Sequence, residues 1–207
     1  MKKRVQKIPT FDDFLSLSKQ SFNNTRLFIF HGISGSGKSS NLNYLAHHHP
    51  SFQNQRVKWI WTHHKRFKVQ AIQDYELVVV DEIVSPFQLP AISKLITQNQ
   101  KIAIASHLNP AWFKVLFPFT PTLSFRTDAS DQKIRRYLDK RDISYSDESI
   151  LSFCKIYGSN YVDLQCTLEN HPGKTFDDAL KWNQKFNKIK SFTPKKWIPS
   201  LPQLKFD

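Results

Sequence analysis

The stretch LFIFHGISGSGKS, residues 27–39, decides the fold that this chain is expected to adopt. Its first four residues are apolar and a glycine follows shortly after them, which is typical of a strand buried on both faces. Residues 32–39 match the pattern G-x-x-x-x-G-K-[ST] in full, and helical spacing follows from Ser39 to His47. A strand, a glycine-rich turn and a helix in this order predict a loop that binds phosphate groups.

Each position of this loop has a chemical reason. Glycines let the backbone bend so that several N–H groups point at one phosphate, and the positive N-terminal end of the next helix adds to them. Lys38 is expected to neutralise the β- and γ-phosphate oxygens of ATP, and the Ser39 hydroxyl to bind Mg²⁺. The predicted nucleotide-binding residues are Gly32, Ile33, Ser34, Gly35, Ser36, Gly37, Lys38, Ser39 and Ser40.

A pair of acids follows the most apolar segment of the chain. Residues 77–80, LVVV, are expected to form a buried strand, and Asp81 and Glu82 come directly after it. We expect Asp81 to hold Mg²⁺ through water and Glu82 to polarise the attacking water as a general base. One acid for the metal and one for water favour hydrolysis over transfer to an acceptor.

A third polar group is expected at the end of the strand that residues 102–105 predict. Ser106 or His107 would touch the γ-phosphate and the attacking water there, and His107 is our catalytic candidate. Asn109 fits equally well as the cap of a helix that starts near Pro110.

The pattern of apolar segments predicts an α/β core followed by helices. Strands are expected at 27–30, 57–61, 77–80, 102–105 and 123–126, with helices between them, which indicates a parallel sheet covered on both sides. Residues 133–140, 146–157 and 161–168 have helical spacing, with Asp131 and Ser146 as N-caps and Gly158 as a stop. The predicted parts are a basic N-terminal segment (1–25), the core (26–127), a helical part (128–190) and an irregular tail (191–207).

The charge balance narrows the class of partner. The chain has 30 basic and 17 acidic residues, a net charge of +13, which favours a polyanionic partner such as nucleic acid.

Cys154 and Cys166 are too few for a disulfide framework or a four-cysteine zinc site. No apolar run reaches the roughly 18 residues that a membrane span needs. We therefore expect a cytoplasmic protein with no membrane partner.

Taken together, these features resemble the AAA+ ATPases, within the clade of replication initiators, helicase loaders and insertion-sequence transposition helpers. The residues that carry the resemblance are Thr10–Phe14, the loop with Asp81–Glu82, Ser106–Trp112, and the helical segments from Ile134 to Leu168. The resemblance implies a P-loop core with a small all-helical lid, the cofactors ATP and Mg²⁺, and a role on or near DNA as a loader, helper or switch. It also implies a protein partner and leaves a homo-oligomer open.

The sequence departs from this family at two cationic positions. Val162 stands where the family has a lid arginine, and Leu116, with Lys114 nearby, stands where the trans-acting arginine falls. Loss of an arginine finger costs about 10³–10⁵-fold in rate, so hydrolysis is expected to be slow or partner-dependent. Arg126 is the nearest candidate for a substitute.

Other segments leave alternatives open. Lys65, Arg66 and Lys68 lie among aromatic residues after the second strand, which suits nucleic-acid contacts as well as a solvated loop. The histidine runs 47–49 and 63–64 are interpreted as loops, since consecutive side chains diverge instead of converging on a metal. Two rival functions remain: a P-loop kinase of small molecules, and a nucleotide-binding adaptor with little hydrolysis.

Overall fold

The chain forms a five-stranded parallel sheet with helices on both faces and further helices after the last strand. The computed structural model describes residues 13, 15–62, 66, 67, 69, 74–98, 101–127, 130–158, 160–171 and 175–192. The strands are β1 (Leu27–His31), β2 (Val57–Trp61), β3 (Leu77–Ile83), β4 (Lys101–Ser106) and β5 (Thr122–Arg126). The helices are α1 (Lys38–His47), α2 (Leu89–Thr97), α3 (Ala111–Leu116), α4 (Asp131–Asp139), α5 (Asp147–Tyr157), α6 (Tyr161–Glu169) and α7 (Phe176–Phe192).

The order of the strands is β2-β3-β4-β1-β5, and every pair is parallel. The predicted parallel α/β sheet is thus confirmed, with all five strands at the expected places. Strand β3 continues three residues past the expected end at Val80, because it takes in the two acids and Ile83. Since β4 lies between β1 and β3, the carboxyl ends of these three strands are neighbours at one edge of the sheet.

The two faces of the sheet carry separate apolar clusters, because successive side chains of a strand point to opposite faces. Phe28 and Phe30 pack on the face that α1 covers, and Ile29 packs on the face that α2 covers. Leu17 and Phe22 are fully buried in the α1-side cluster. The described part of the N-terminal segment therefore belongs to the core of the sheet domain.

Helices α4–α7, called the helical unit below, share a core of their own. Its buried residues are Ile134, Leu138, Ile150, Phe153, Leu164, Phe176 and Leu180. The predicted cap Ser146 is confirmed, since its Oγ accepts from the Ser149 N–H at 3.3 Å, and Gly158 ends α5 at φ 63°. Asp131 as an N-cap is wrong: Ser130 holds that position, and Asp131 lies in the first turn, 3.7 Å from Arg135. A carboxylate is favoured in the first turn as well as at the cap.

Helix α7 is the longest of the described helices. Phe176 and Leu180 of this helix are buried in the helical unit. Among the described residues, no helix is both long enough and apolar enough to cross a membrane.

Candidate functional site: the carboxyl edge of the sheet

Three groups of polar residues meet at the carboxyl edge of the sheet. Strand β1 leads into the glycine-rich loop at Gly32, β3 contains Asp81 and Glu82, and β4 ends at Ser106. Because β4 separates β1 from β3, Ser106 and the residue after it, His107, are placed between the loop and the acids. Such an edge is where parallel α/β sheets bind ligands.

The loop is closed on itself by Lys38, the first residue of α1. Its Nζ donates to the carbonyl oxygens of Gly32 at 2.9 Å and Ile33 at 2.7 Å. Gly35 at φ 71° and Gly37 at φ 90° have left-handed backbone, which glycine adopts without strain. The ammonium of Lys38 therefore lies at the mouth of the loop, held by two oxygens that a phosphate group can replace.

Asp81 is a buried carboxylate with an unused oxygen. Its side chain is 1% exposed, and Oδ1 accepts from the Glu82 N–H at 2.9 Å. Oδ2 is fully buried and has no hydrogen-bond partner in the part of the chain that is described. Burial raises the pKa of Asp81, while the Ser39 hydroxyl, the Glu82 N–H and Lys38 act in the opposite direction.

This arrangement fits a magnesium ion that is shared with a nucleotide. The Ser39 hydroxyl and the orphaned Asp81 Oδ2 are hard oxygen donors, and Mg²⁺ commonly takes only one or two protein ligands beside phosphates and waters. No group of three or more His, Cys, Asp or Glu side chains that could cage a metal was found among the described residues. Ser39 and Asp81 would thus hold the ion together with the phosphates.

Glu82 has a strained backbone. It is one of the non-glycine residues with positive φ, at 68°, and it lies where the register of β3 against β4 is interrupted between Val80 and Ile83. Its carbonyl oxygen accepts from Thr62 Oγ1 at 2.7 Å and from Gln88 Nε2 at 3.4 Å. Such strain costs on the order of 1–3 kcal/mol and clusters at functional sites.

Thr62 and Gln88 are site residues that sequence reasoning missed. Gln88 Oε1 also accepts from the N–H groups of Val84 and Ser85, each at 2.9 Å, so that it fixes the turn after β3. A signal did exist for Gln88, because Ser85 and Gln88, with Pro86 between them, have the spacing of a capping box. No pattern pointed to Thr62, since its partner is a backbone carbonyl on another strand.

An open cavity of about 640 Å³ lies beside the start of the loop. It brings together two predicted site residues, His107 and Arg126, which come from the ends of β4 and β5. The residues around it are His31, Gly32, Ile33, His107, Leu108, Asn109, Pro110 and Arg126. His31 was not predicted, although a polar residue at the end of an otherwise apolar strand was a signal. The cavity is large enough for groups bound at the loop to face an imidazole and a guanidinium.

The polar side chains at and after the end of β4 differ in their surroundings. Ser106 is fully buried, and its Oγ accepts from the Leu108 N–H at 2.9 Å, so its hydroxyl stabilises the strand end. Asn109 Oδ1 accepts from the Ala111 N–H at 2.9 Å, which is the cap-like role considered for it. His107 is exposed toward the cavity. Asn109 is exposed at the same cavity, so the side chains of His107 and Asn109 can both meet a ligand there, whereas that of Ser106 cannot.

The two positions at which the resemblance leads us to expect arginines are both exposed. Val162 is 57% exposed in the first turn of α6, and Leu116 is 47% exposed at the end of α3. Arg135, which lies in α4 of the helical unit, forms an ion pair with Asp147. Arg126 lines the cavity beside Gly32 and Ile33, at the start of the loop.

The helical unit rests directly on the loop. The Tyr161 N–H donates to the Gly35 carbonyl at 3.1 Å, and a Cβ on Gly35 would come within 1.9 Å of Asn160 Oδ1. A Cβ on Gly37 would lie 3.7 Å from the Tyr161 ring. Gly35 thus leaves room for the N-terminal end of α6 as well as for loop curvature, whereas a Cβ on Gly37 would make only an ordinary van der Waals contact.

Part of the predicted nucleic-acid segment is described. Arg66 stacks its guanidinium 4.8 Å from the centre of the Phe87 ring, which is 67% exposed. On β2, the rings of Trp59 and Trp61 are stacked 5.9 Å apart, and Trp61 is largely exposed. Further predicted site residues, Lys65 and Lys68, and most of the segment 10–14 lie outside the described residues.

No protein-family model matches this chain, and no curated protein sequence does so either. The assignment of a function therefore depends on the geometry and chemistry of the site.

Proposed function

We propose that this chain binds and hydrolyses ATP with Mg²⁺ as a protein of the AAA+ type, and that it acts with DNA as a loader, helper or switch. One observation carries the proposal: the buried Asp81 Oδ2, which has no hydrogen-bond partner among the described residues, lies on β3 at the same sheet edge as the loop residues Lys38 and Ser39. A buried, unpaired carboxylate oxygen is costly unless a cation binds it. Mg²⁺ held by the phosphates in the loop would supply that cation.

The residues at this edge divide the chemistry of hydrolysis. Lys38 Nζ exchanges its two loop carbonyls for phosphate oxygens, and the loop N–H groups bind the remaining oxygens. Ser39 and Asp81 would hold Mg²⁺, which would supply positive charge against the phosphate oxygens. Glu82 takes the proton of the water that attacks the γ-phosphorus, after which ADP leaves and inorganic phosphate remains. His107 and Arg126 line the adjoining cavity, where they would face the transferred group.

Two observations support the AAA+ type within the larger class of P-loop proteins. The strand that ends in the third polar element, β4, lies between the loop strand and the acid strand. The helical unit follows β5 and its α6 contacts the loop through Tyr161. A helical unit in contact with the phosphate site can change its orientation when a nucleotide enters. We propose that it acts as the lid.

The DNA role is supported by charge and by exposed aromatic rings. The chain carries a net charge of +13, which attracts phosphate backbones. Arg66 on Phe87 and the exposed Trp61 next to the basic segment provide cation and stacking surfaces of the kind that nucleic-acid binding uses.

Replacement of Glu82 by Gln tests hydrolysis directly. The variant is expected to bind MgATP as the wild type does but to lose nearly all turnover, because the base is removed while the loop is intact. Glu76→Gln is the matched control, since Glu76 precedes β3 at the opposite edge of the sheet and pairs with Arg56. Steady-state phosphate release with and without DNA is the measurement.

Each result of this assay separates the rival functions. Loss of turnover in Glu82→Gln alone supports the ATPase. Tight ATP binding without turnover under any condition favours the adaptor, and label transfer from ATP to a small acceptor favours the kinase. Unchanged turnover in Glu82→Gln contradicts the role given to this residue.

A further inference from the structure

Lys133 is a buried cation that the scheme above does not use. It lies in the first turn of α4, in the helical unit, and is only 3% exposed. Its Nζ donates to the Ser36 carbonyl at 3.0 Å and to the Thr127 carbonyl at 3.0 Å, and it lies 4.7 Å from the centre of the Tyr161 ring. Lysine is almost never so buried unless its charge has a specific use or partner.

The contact of Lys133 with the loop is part of a frame of hydrogen bonds. Ser36 Oγ and Thr127 Oγ1 are 2.7 Å apart, and both residues are fully buried. Thr127 in turn donates to the His31 carbonyl from its N–H at 2.8 Å and from Oγ1 at 3.1 Å. The middle of the loop is therefore fixed to the end of β1 and to α4 at the same point.

We propose that Lys133 is a positioning residue for the phosphate loop and that it supplies the positive charge by which the helical unit supports nucleotide binding. This inference rests on the proposed nucleotide site. Val162 offers no cation where one is expected in α6, whereas Lys133 brings one to the loop from α4. Its part is to orient the loop and not to touch the nucleotide.

The planarity of the peptide group explains how Lys133 orients the loop. In a trans peptide the C=O and the following N–H point in opposite directions. When the Ser36 carbonyl points toward Lys133, the Gly37 N–H therefore points away from Lys133. It faces the opposite side of the loop, where phosphate oxygens are expected. The ammonium also lies one peptide away from that site, in surroundings with little water, where a charge acts strongly on a phosphate anion.

The same contacts couple the loop to the orientation of the helical unit. Tyr161 of α6 contacts both Lys133 and the loop, since its ring faces Nζ and its N–H donates to Gly35. A phosphate that draws the loop N–H groups toward itself strengthens the hydrogen bond from Lys133 Nζ to the Ser36 carbonyl. Nucleotide binding should then be favoured when α4 and α6 are docked, and docking should be favoured by nucleotide.

The test compares substitutions of Lys133 with the same substitution elsewhere in the helical unit. Lys133→Met removes the charge at similar length, Lys133→Gln keeps a donor without charge, and Lys133→Arg keeps the charge. Lys155→Met is the matched control, because Lys155 is exposed on α5. Calorimetry with MgATP and with inorganic tripolyphosphate, well below the unfolding temperature, gives the affinities. Thermal unfolding without ligand reports any purely structural loss.

We expect Lys133→Met and Lys133→Gln to lose at least about tenfold in affinity for both probes, as loss of a charged hydrogen-bond donor implies. Lys133→Arg should remain within about threefold of the wild type, and Lys155→Met should match it. If Lys133→Met does not fold, the contrast between Gln and Arg decides the matter. Tripolyphosphate isolates the loop, because it has no base or ribose.

The outcomes for the loop and for Lys133 are distinguishable. A wild type that binds neither probe overturns the nucleotide site, and this inference with it. A wild type that binds both, with a Lys133→Met or Lys133→Gln variant of equal affinity but lower thermal stability, overturns this inference alone and makes Lys133 structural. A loss confined to MgATP contradicts loop positioning as well.

Discussion

Asp81 and Glu82 are each held in a way that costs free energy. The carboxylate of Asp81 is buried, and its Oδ2 has no hydrogen-bond partner among the described residues. The backbone of Glu82 has a positive φ that few non-glycine residues adopt. Thr62 and Gln88 hold Glu82 in that conformation through its carbonyl. Proteins keep such features where a ligand or a reaction uses them. We interpret both residues as preorganised for Mg²⁺ and water.

This interpretation predicts that Asp81→Asn stabilises the protein while it weakens Mg²⁺-dependent nucleotide binding. Because burial raises the pKa of Asp81 above its ordinary 3.8, folding disfavours the ionised form. The gain should be about 1 kcal/mol, or roughly 2–4 °C in unfolding temperature, without ligand at neutral pH. It should shrink as pH falls through the raised pKa and vanish below the unfolded value, where both states are protonated.

Thermal unfolding of Asp81→Asn and wild type between pH 3 and 8, beside calorimetry with and without Mg²⁺, checks both parts. A variant that is less stable than the wild type at pH 7 would show that the carboxylate has a structural partner.

Among the secondary-structure elements, those that could be predicted are the ones whose residues have a local pattern. The five strands were visible as apolar runs, and α5 was visible through Ser146 and Gly158. Helix α3 could be expected only from its possible cap, Asn109 before Pro110, because its six residues are too few for a period. The loop itself could be predicted from its own residues.

What the sequence could not predict are contacts between distant elements. Lys133 is a basic residue in the first turn of a helix, with no local signal of burial, yet it is buried against Ser36, which is 97 positions away in the chain. Gly35 was predicted for loop curvature alone, whereas the structure adds its contact with Asn160. Such pairings depend on how α4 and α6 dock on the sheet, which no local pattern encodes.

The docking of α6 on the loop predicts a coupling between Gly35 and Asn160. Gly35→Ala should cost about 2 kcal/mol, from the left-handed backbone and from displacing the Asn160 side chain that caps α6. In an Asn160→Ala background the same change should cost only about 1 kcal/mol, because the clash is gone. Denaturant unfolding of the four proteins measures the cycle. Equal costs in the two backgrounds would mean that α6 does not rest on Gly35 in solution.

For the molecule as a whole, the missing arginines predict a slow enzyme. Turnover by the isolated protein should fall below the ordinary range of about 1–10³ per second, while ATP binding is retained. Arg126→Ala should slow it further, and Arg135→Ala, whose guanidinium binds Asp147, is the matched control. Phosphate release across protein concentration is the measurement. Fast turnover by dilute protein that does not change in Arg126→Ala would contradict this prediction.

The charge of the whole chain predicts binding to nucleic acid that weakens steeply with salt, because phosphate contacts release counterions. Arg66→Glu should lower both the affinity and the salt slope. Trp61→Ala should lower the affinity for nucleic acid. Trp112→Ala is its control and should leave the affinity unchanged, since the Trp112 ring is also exposed but lies on α3. Fluorescence anisotropy with single- and double-stranded DNA at several salt concentrations measures these affinities. No binding to either at low salt would move the proposal to the adaptor.

The central claim is that residues 32–39 form a nucleotide-binding loop, and calorimetry with MgATP on wild type and Lys38→Ala tests it most directly. The wild type should bind one MgATP per chain. Lys38→Ala should lose at least about a hundredfold in affinity, since the charged donor to the phosphates is gone, while near-ultraviolet circular dichroism stays native. Lys155→Ala, with an exposed lysine on α5, should bind as the wild type does. Equal MgATP affinity in wild type and a folded Lys38→Ala would contradict the account.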